Sequence, residues 1–242
     1  MEQFISLQGV VYSQFEKEAG NVVGAEEKGV RAGEGYLEHL ATTGFSMERQ
    51  NALLGGEPRG GIELGLKLGD FRASRLEEEV RGVLDRAKRG EQFGKAYIDW
   101  LRISRTGEER QYALMGRETM GNWLELVESL NTVPTLPLEQ EARDVLARSG
   151  EGQRFNPRYV DYLGQRLIED AGNGSPQGRE LAQALKKVQR SWIVAEIRDV
   201  LARSKNGKSF EWGYLTYLKQ RVLESETRES RDLADALDHL IG

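Results

Sequence analysis

The chain has 242 residues, with 34 lysines and arginines against 39 aspartates and glutamates, so its formal net charge is −5. A hydrophobic content of 38% is enough for a packed core, and zero cysteines exclude disulfides, thiol nucleophiles and cysteine-based metal sites. Because no apolar run reaches the roughly 18 residues of a membrane span and no signal peptide is recognisable, we expect an intracellular, cytoplasmic protein without a membrane segment.

One helical pattern recurs along the chain, which predicts an internal repeat. Each copy begins with apolar residues at i, i+4, i+7 and i+8, the spacing of one helix face, and a turn containing glycine follows. A second helix then opens around an aromatic residue and carries Phe, Tyr, Trp or Tyr, and Leu on one stripe, which we interpret as the core between helices. The copies that align without a gap are residues 76–101, 138–163 and 193–218.

We predict an all-α fold of four tandem segments with a period of 55–62 residues and about three helices each. The segments would stack as a short solenoid or form a compact multi-helix array. The first is a degenerate copy rich in glycine, which predicts looser helices, and no period-two pattern indicates a strand. The predicted segments are residues 2–72, 73–133, 134–190 and 191–242.

Several local signals predict where hinges and helices lie. The glycine-rich stretch 55–61 is expected to be a hinge, and the proline-containing stretch 131–137 a second one. Asn156 precedes a proline and reads as the N-cap of a helix. Another helix opens at Pro176, and since no breaker appears before Ser204, either one long helix or a kinked pair fits.

Arginine recurs at aligned positions, at Arg86, Arg148 and Arg203. These side chains form either a basic ridge for an acidic protein or nucleic acid, or exposed faces paired with neighbouring acids, and the charge alternation favours the second interpretation. Arg59 in the glycine-rich stretch and Trp123, which has no counterpart in the other copies, are two more candidates for contact with a partner. The acidic balance of the chain disfavours nucleic acid.

The polar residues do not form a catalytic or metal-binding pattern. Carboxylates are abundant, but none is predicted on an apolar face where burial would raise its pKa. His39 replaces an aromatic residue of the other copies and reads as a packed histidine, while His239 has Asp235 one turn earlier but no third ligand. We therefore expect no catalytic residues, no metal and no cofactor.

The function that these features favour is a non-enzymatic helical-repeat scaffold or adaptor that binds another protein. Two alternatives stay open. One is a small-ligand or enzymatic role in a cleft between segments, and the other is nucleic-acid binding through the arginine ridge. A homo-oligomer is also compatible with the sequence.

Overall fold

The computed structural model describes residues 2–53, 60–114, 123–170, 176–225 and 227–241, and it confirms the all-α prediction. These residues form ten helices and two strands of two residues each. In chain order the elements are α1 (Glu2–Glu26), α2 (Glu34–Leu53), α3 (Gly61–Lys88), β1 (Phe93–Gly94), α4 (Lys95–Leu114), α5 (Trp123–Leu130), β2 (Thr135–Leu136), α6 (Leu138–Gly150), α7 (Pro157–Asp170), α8 (Pro176–Lys205), α9 (Trp212–Leu223) and α10 (Arg228–Ile241). Within these ranges, no helix is both long and apolar enough to cross a membrane.

The expectation that the chain contains no strand is wrong at one point. β1 and β2 pair in parallel, with Phe93 opposite Thr135, and the Phe93 amide donates to the Pro134 carbonyl at 3.1 Å. The second strand lies in the stretch 131–137, where prolines follow Val133 and Leu136 and keep those residues extended. A bridge of two residues needs no alternating pattern, so periodicity does not predict it.

The described helices fall into two compact units, which we call the terminal unit and the central unit. The terminal unit joins Met1–Arg72 to Trp192–Gly242, and the central unit is Ala73–Ser191. The boundaries lie within α3 and α8, next to predicted segment boundaries. A stack in chain order would place the first segment on the second, whereas in the terminal unit the first segment packs on the last, through α1, α2 and α9.

Local signals place the ends of several helices correctly. α7 begins at Pro157, and the Asn156 Oδ1 accepts the Arg158 amide at 2.9 Å, which confirms the predicted N-cap. α8 runs without a break from Pro176 to Lys205, so the single long helix is the alternative that the structure adopts. Residues 55–59 of the predicted hinge at 55–61 lie outside the described residues, and Gly61 is the first residue of α3.

Four helices end in the same glycine turn. Gly29, Gly90, Gly152 and Gly207 all have φ between 78° and 92°, a left-handed conformation that other residues rarely adopt. At Gly152 the amide donates to the Ser149 carbonyl at 3.0 Å, and the next amide reaches back to Arg148 at 3.0 Å. This pair of hydrogen bonds satisfies carbonyls at the helix end. The predicted turns at the last three glycines are therefore confirmed.

The predicted aromatic core is only partly correct. Leu101, Leu163 and Leu218, which close the aligned stripes, are fully buried. Phe93 is also buried, but the equivalent Phe155 is only half-buried. The aromatic residue that opens the stripe sits beside the glycine turn, and its burial differs between the copies. The leucines therefore contribute more of the core than the phenylalanines do.

Candidate functional site

Among the residues whose burial the structure describes, two glutamates are buried, which contradicts the expectation that no carboxylate lies on an apolar face. The exposed fraction of Glu18 on α1 is 1%, and that of Glu141 on α6 is 3%. Each lies on the helix face that carries the apolar repeat. The sequence prediction failed because two of the three donors to each carboxylate come from a helix far away in the chain.

Glu141 caps the N-terminus of α4. Its Oε2 accepts the Ala96 amide at 2.8 Å, and its Oε1 accepts the Tyr97 amide at 2.7 Å. The Tyr159 hydroxyl also donates to Oε1, at 2.8 Å. The first amides of a helix have no partner within it, and the positive end of the helix dipole attracts an anion. A Cβ atom at Gly94 would clash with the Glu141 carboxyl, so glycine is required there.

Glu18 makes the same arrangement in the terminal unit. Its two oxygens accept the amides of Gly213 and Tyr214, at 2.7 and 3.0 Å, in the first turn of α9. The Tyr36 hydroxyl is the third donor. A Cβ atom at Gly213 would lie 2.7 Å from a carboxylate oxygen of Glu18. In both units, a glutamate from one helix therefore holds the start of another.

Tyrosine rings join the two halves of each arrangement. The rings of Tyr97 and Tyr159 meet edge to face at 5.2 Å, and those of Tyr36 and Tyr214 do so at 5.5 Å. Each tyrosine hydroxyl donates to a glutamate 18 residues earlier in the chain. We call each set of two glutamates and two tyrosines a glutamate–tyrosine cluster. The pairs are Glu18 with Tyr36, Glu79 with Tyr97, Glu141 with Tyr159, and Glu196 with Tyr214.

These clusters are the feature that sequence reasoning missed. All four glutamates stand at matching positions of the predicted segments, always 18 residues before the tyrosine. A carboxylate that recurs among apolar positions is the signal that could have revealed them, because the other residues on that helix face are buried.

Burial and hydrogen bonding act in opposite directions on the pKa of these carboxyls. Removal from water raises the pKa of Glu141 and of Glu18, and the amide and hydroxyl donors lower it in part. Burial likewise raises the pKa of the Tyr159 and Tyr36 hydroxyls, so they stay protonated as donors. Since each carboxylate accepts three protein donors, the arrangement suits joining helices rather than transferring a proton to a substrate.

The raised pKa predicts a pH-dependent difference between the wild type and the variant Glu141→Gln. Folding favours the protonated carboxyl, so its contribution to the free energy of unfolding is largest below the ordinary glutamate pKa and declines as pH rises through the raised value. The glutamine cannot titrate. We therefore expect the advantage of the wild type over the variant to shrink from pH 5 to pH 8 in urea unfolding. A difference in the free energy of unfolding that stays constant or grows with pH would contradict a raised pKa of Glu141.

The predicted arginines lie at helix ends and are exposed. The Arg86 guanidinium lies 4.9 Å from the Phe93 ring centre, and Arg148 lies 5.1 Å from that of Phe155. These are cation–π contacts that hold the guanidinium against the ring. Arg203 is held differently, since it pairs with Asp199 at 2.7 Å, one helical turn earlier.

The other two predicted contact residues are described less fully. Arg59 lies outside the described residues. Trp123 begins α5, and its side chain is also outside the description. The stretch 131–137, which follows α5, contains β2. Because β2 pairs with β1, part of the backbone of this stretch is hydrogen-bonded within the central unit.

Positive charge is concentrated in three of the glycine turns, which we call the basic turns. Residues 86–95 carry four basic side chains and one acidic one, while 148–158 and 203–211 each carry three and one. The turn of the first segment, residues 25–34, has two basic and three acidic side chains. The basic turns are thus local exceptions in a chain of net charge −5.

The histidines occupy different environments. His39 is half-buried, its ring centre lies 5.8 Å from that of Tyr217, and burial lowers its pKa, as a packed histidine requires. His239 is exposed in the last turn of α10. Among the residues that the structure describes, no group of three or more His, Cys, Asp or Glu side chains is placed to hold a metal ion.

Comparisons with protein-family models, with curated proteins and with solved structures found no match. The function proposed below therefore depends on the chemistry and geometry of this chain.

Proposed function

We propose that this protein is a non-enzymatic helical-repeat scaffold or adaptor that binds another protein. The observation that supports the proposal most directly is the set of basic turns, in two of which an exposed arginine lies against a phenylalanine ring. We place the partner contact at Arg86 and Arg148, in the two basic turns of the central unit. The partner would present an acidic surface.

The repeat itself is part of the proposal. Two features recur at the predicted spacing of the four segments, namely the left-handed glycine turn and the glutamate–tyrosine pair. We infer that the chain contains four copies of one element, with the first paired to the last and the second to the third. Buried hydrogen-bonded carboxylates give each pair a defined geometry, which suits a scaffold.

The chemistry of the basic turns favours an acidic protein over nucleic acid. A guanidinium that already lies on a ring loses less side-chain freedom on binding, and its outward N–H groups match a carboxylate. Each turn also contains an acidic residue, at Glu91, Glu151 and Glu211. A negative charge within each turn weakens the attraction for a continuous line of phosphates, whereas a protein surface can present carboxylates at separate points.

The proposal predicts that the double variant Arg86→Gln/Arg148→Gln loses its partner. The matched control is Arg81→Gln/Arg143→Gln, which removes the same charge five residues earlier on α3 and α6. These control arginines are exposed and pair with Glu77 and Glu139, at 2.7 and 3.3 Å. Tagged forms of the wild type and both variants would be used for capture from nuclease-treated lysate, with quantitative mass spectrometry.

We expect a protein with an acidic surface to be captured by the wild type and by the control variant, and to be at least about tenfold depleted with the first variant, since hydrogen bonds to charged groups contribute that much or more. Equal recovery with both variants would place the contact elsewhere. A partner that the wild type captures from untreated lysate but not from nuclease-treated lysate would instead support the nucleic-acid alternative.

A further inference from the structure

We propose that the terminal unit can open, with the α9–α10 pair separating from α1 and α2 while the central unit stays closed. The hydrogen bonds that Glu18 accepts from α9 hold the closed conformation. This is a conformational device within one unit, and it goes beyond the adaptor role. It follows from how the two parts of the terminal unit are joined.

Each part of the terminal unit has its own apolar core. On one side, α1, α2 and α3 bury Phe15, Leu37, Leu40 and Leu68 in one cluster. On the other side, the end of α8 packs with α9 and α10 around Ile197, Leu218 and Leu237 in a separate cluster. Separation of the parts therefore leaves both cores largely intact, unlike the disruption of a single shared core.

Ion pairs also hold the departing part together. Lys219 on α9 lies 2.6 and 2.7 Å from the two carboxylate oxygens of Asp238 on α10. Arg198 on α8 lies 2.9 Å from Glu229 on α10. Because these pairs lie within residues 192–241, we expect that stretch to move as one body.

Glu18 accepts two hydrogen bonds across the joint between the parts, and aromatic rings pack around it. The amides of Gly213 and Tyr214 donate to Glu18 across the joint, from positions 195 and 196 residues later in the chain. Around them lie ring contacts of Tyr36 with Tyr214 and of His39 with Tyr217, at 5.5 and 5.8 Å. Loss of the Glu18 carboxylate removes the acceptor that both amides share.

The equivalent joint in the central unit differs in two respects. Trp100 is buried where the terminal unit has the half-buried His39, and it lies 5.9 Å from the Tyr159 ring. The β1–β2 bridge adds backbone pairing, for which the described residues of the terminal unit have no counterpart. The joint held by Glu18 is therefore the weaker of two similar joints, and we expect it to open first.

Hydrogen–deuterium exchange of the full chain, read by mass spectrometry, tests the proposal. The test variant is Glu18→Gln, because glutamine keeps the size but turns an NH₂ group toward one of the two α9 amides. Glu141→Gln is the matched control in the central unit. A second pair is Gly213→Ala, whose Cβ meets the Glu18 carboxylate at 2.7 Å, and Gly164→Ala on α7, whose Cβ would have no atom within 4 Å.

We expect the wild type to exchange faster in α1, α2, α9 and α10 than in α6 and α7. Glu18→Gln and Gly213→Ala should each raise exchange in the terminal unit by about tenfold or more and leave α6 and α7 unchanged. Glu141→Gln should raise exchange in the central unit, and Gly164→Ala in neither. Equal exchange rates in the two units of the wild type would overturn the proposal. It would also be overturned if Glu18→Gln raised exchange in α6 and α7 as much as in the terminal unit. Unchanged exchange in both test variants would overturn it as well.

Discussion

Replacement of Glu141 by alanine is expected to lower the free energy of unfolding by about 3–5 kcal/mol, because it leaves two buried donors and one part-buried donor without an acceptor. Those donors are the amides of Ala96 and Tyr97 and the hydroxyl of Tyr159. Methyl-sized alanine also leaves room where the carboxyl was. Urea unfolding followed by circular dichroism at pH 7 measures the change.

The control for this prediction is Glu139→Ala, two residues earlier on α6. Glu139 is 42% exposed and pairs with Arg143 on the same helix at 3.3 Å. Exposed pairs of this kind contribute little, so the control should cost less than about 1 kcal/mol. Similar losses for the two variants would show that the buried cap does not stabilise α4.

Replacement of Leu163 by alanine should cost about 3 kcal/mol, because its side chain is completely buried in the central unit and truncation leaves a cavity. Leu163 lies on α7 in the position that closes the aromatic stripe, and Leu101 on α4 is its aligned counterpart. Chemical denaturation of the full chain measures the loss.

Ile168→Ala on the same helix is the matched control. The isoleucine is 55% exposed, so truncation removes little buried area and should change the free energy of unfolding by less than about 1 kcal/mol. A loss at Ile168 as large as that at Leu163 would mean that this face of α7 is covered in solution, for instance by another copy of the chain.

Much of the local structure was predictable from the residues alone. The cap at Asn156, the start of α8 at Pro176 and the turns at Gly90, Gly152 and Gly207 follow from capping preferences and from the periodicity of apolar residues. These signals act over one or two helical turns, so they can be recognised from neighbouring residues in the sequence.

The candidate site was predictable only in part. The recurring arginines were visible, but their contact with Phe93 and Phe155 depends on how the chain reverses at each glycine turn. Burial of Glu18 was not foreseen, because an abundant charged residue on a helix is normally solvated. Its three donors come from two other helices, α2 and α9, and no local pattern identifies them.

The sequence by itself determined the helical class, the glycine turns and the apolar stripe that each helix must bury, because each depends on neighbours a few residues away. Only the tertiary structure decided which helices share a joint and which glutamates enter the core. Those choices depend on donors 44 residues away for Glu141 and 195 away for Glu18. A buried carboxylate is stable only where such donors converge, and their convergence is a property of the folded chain.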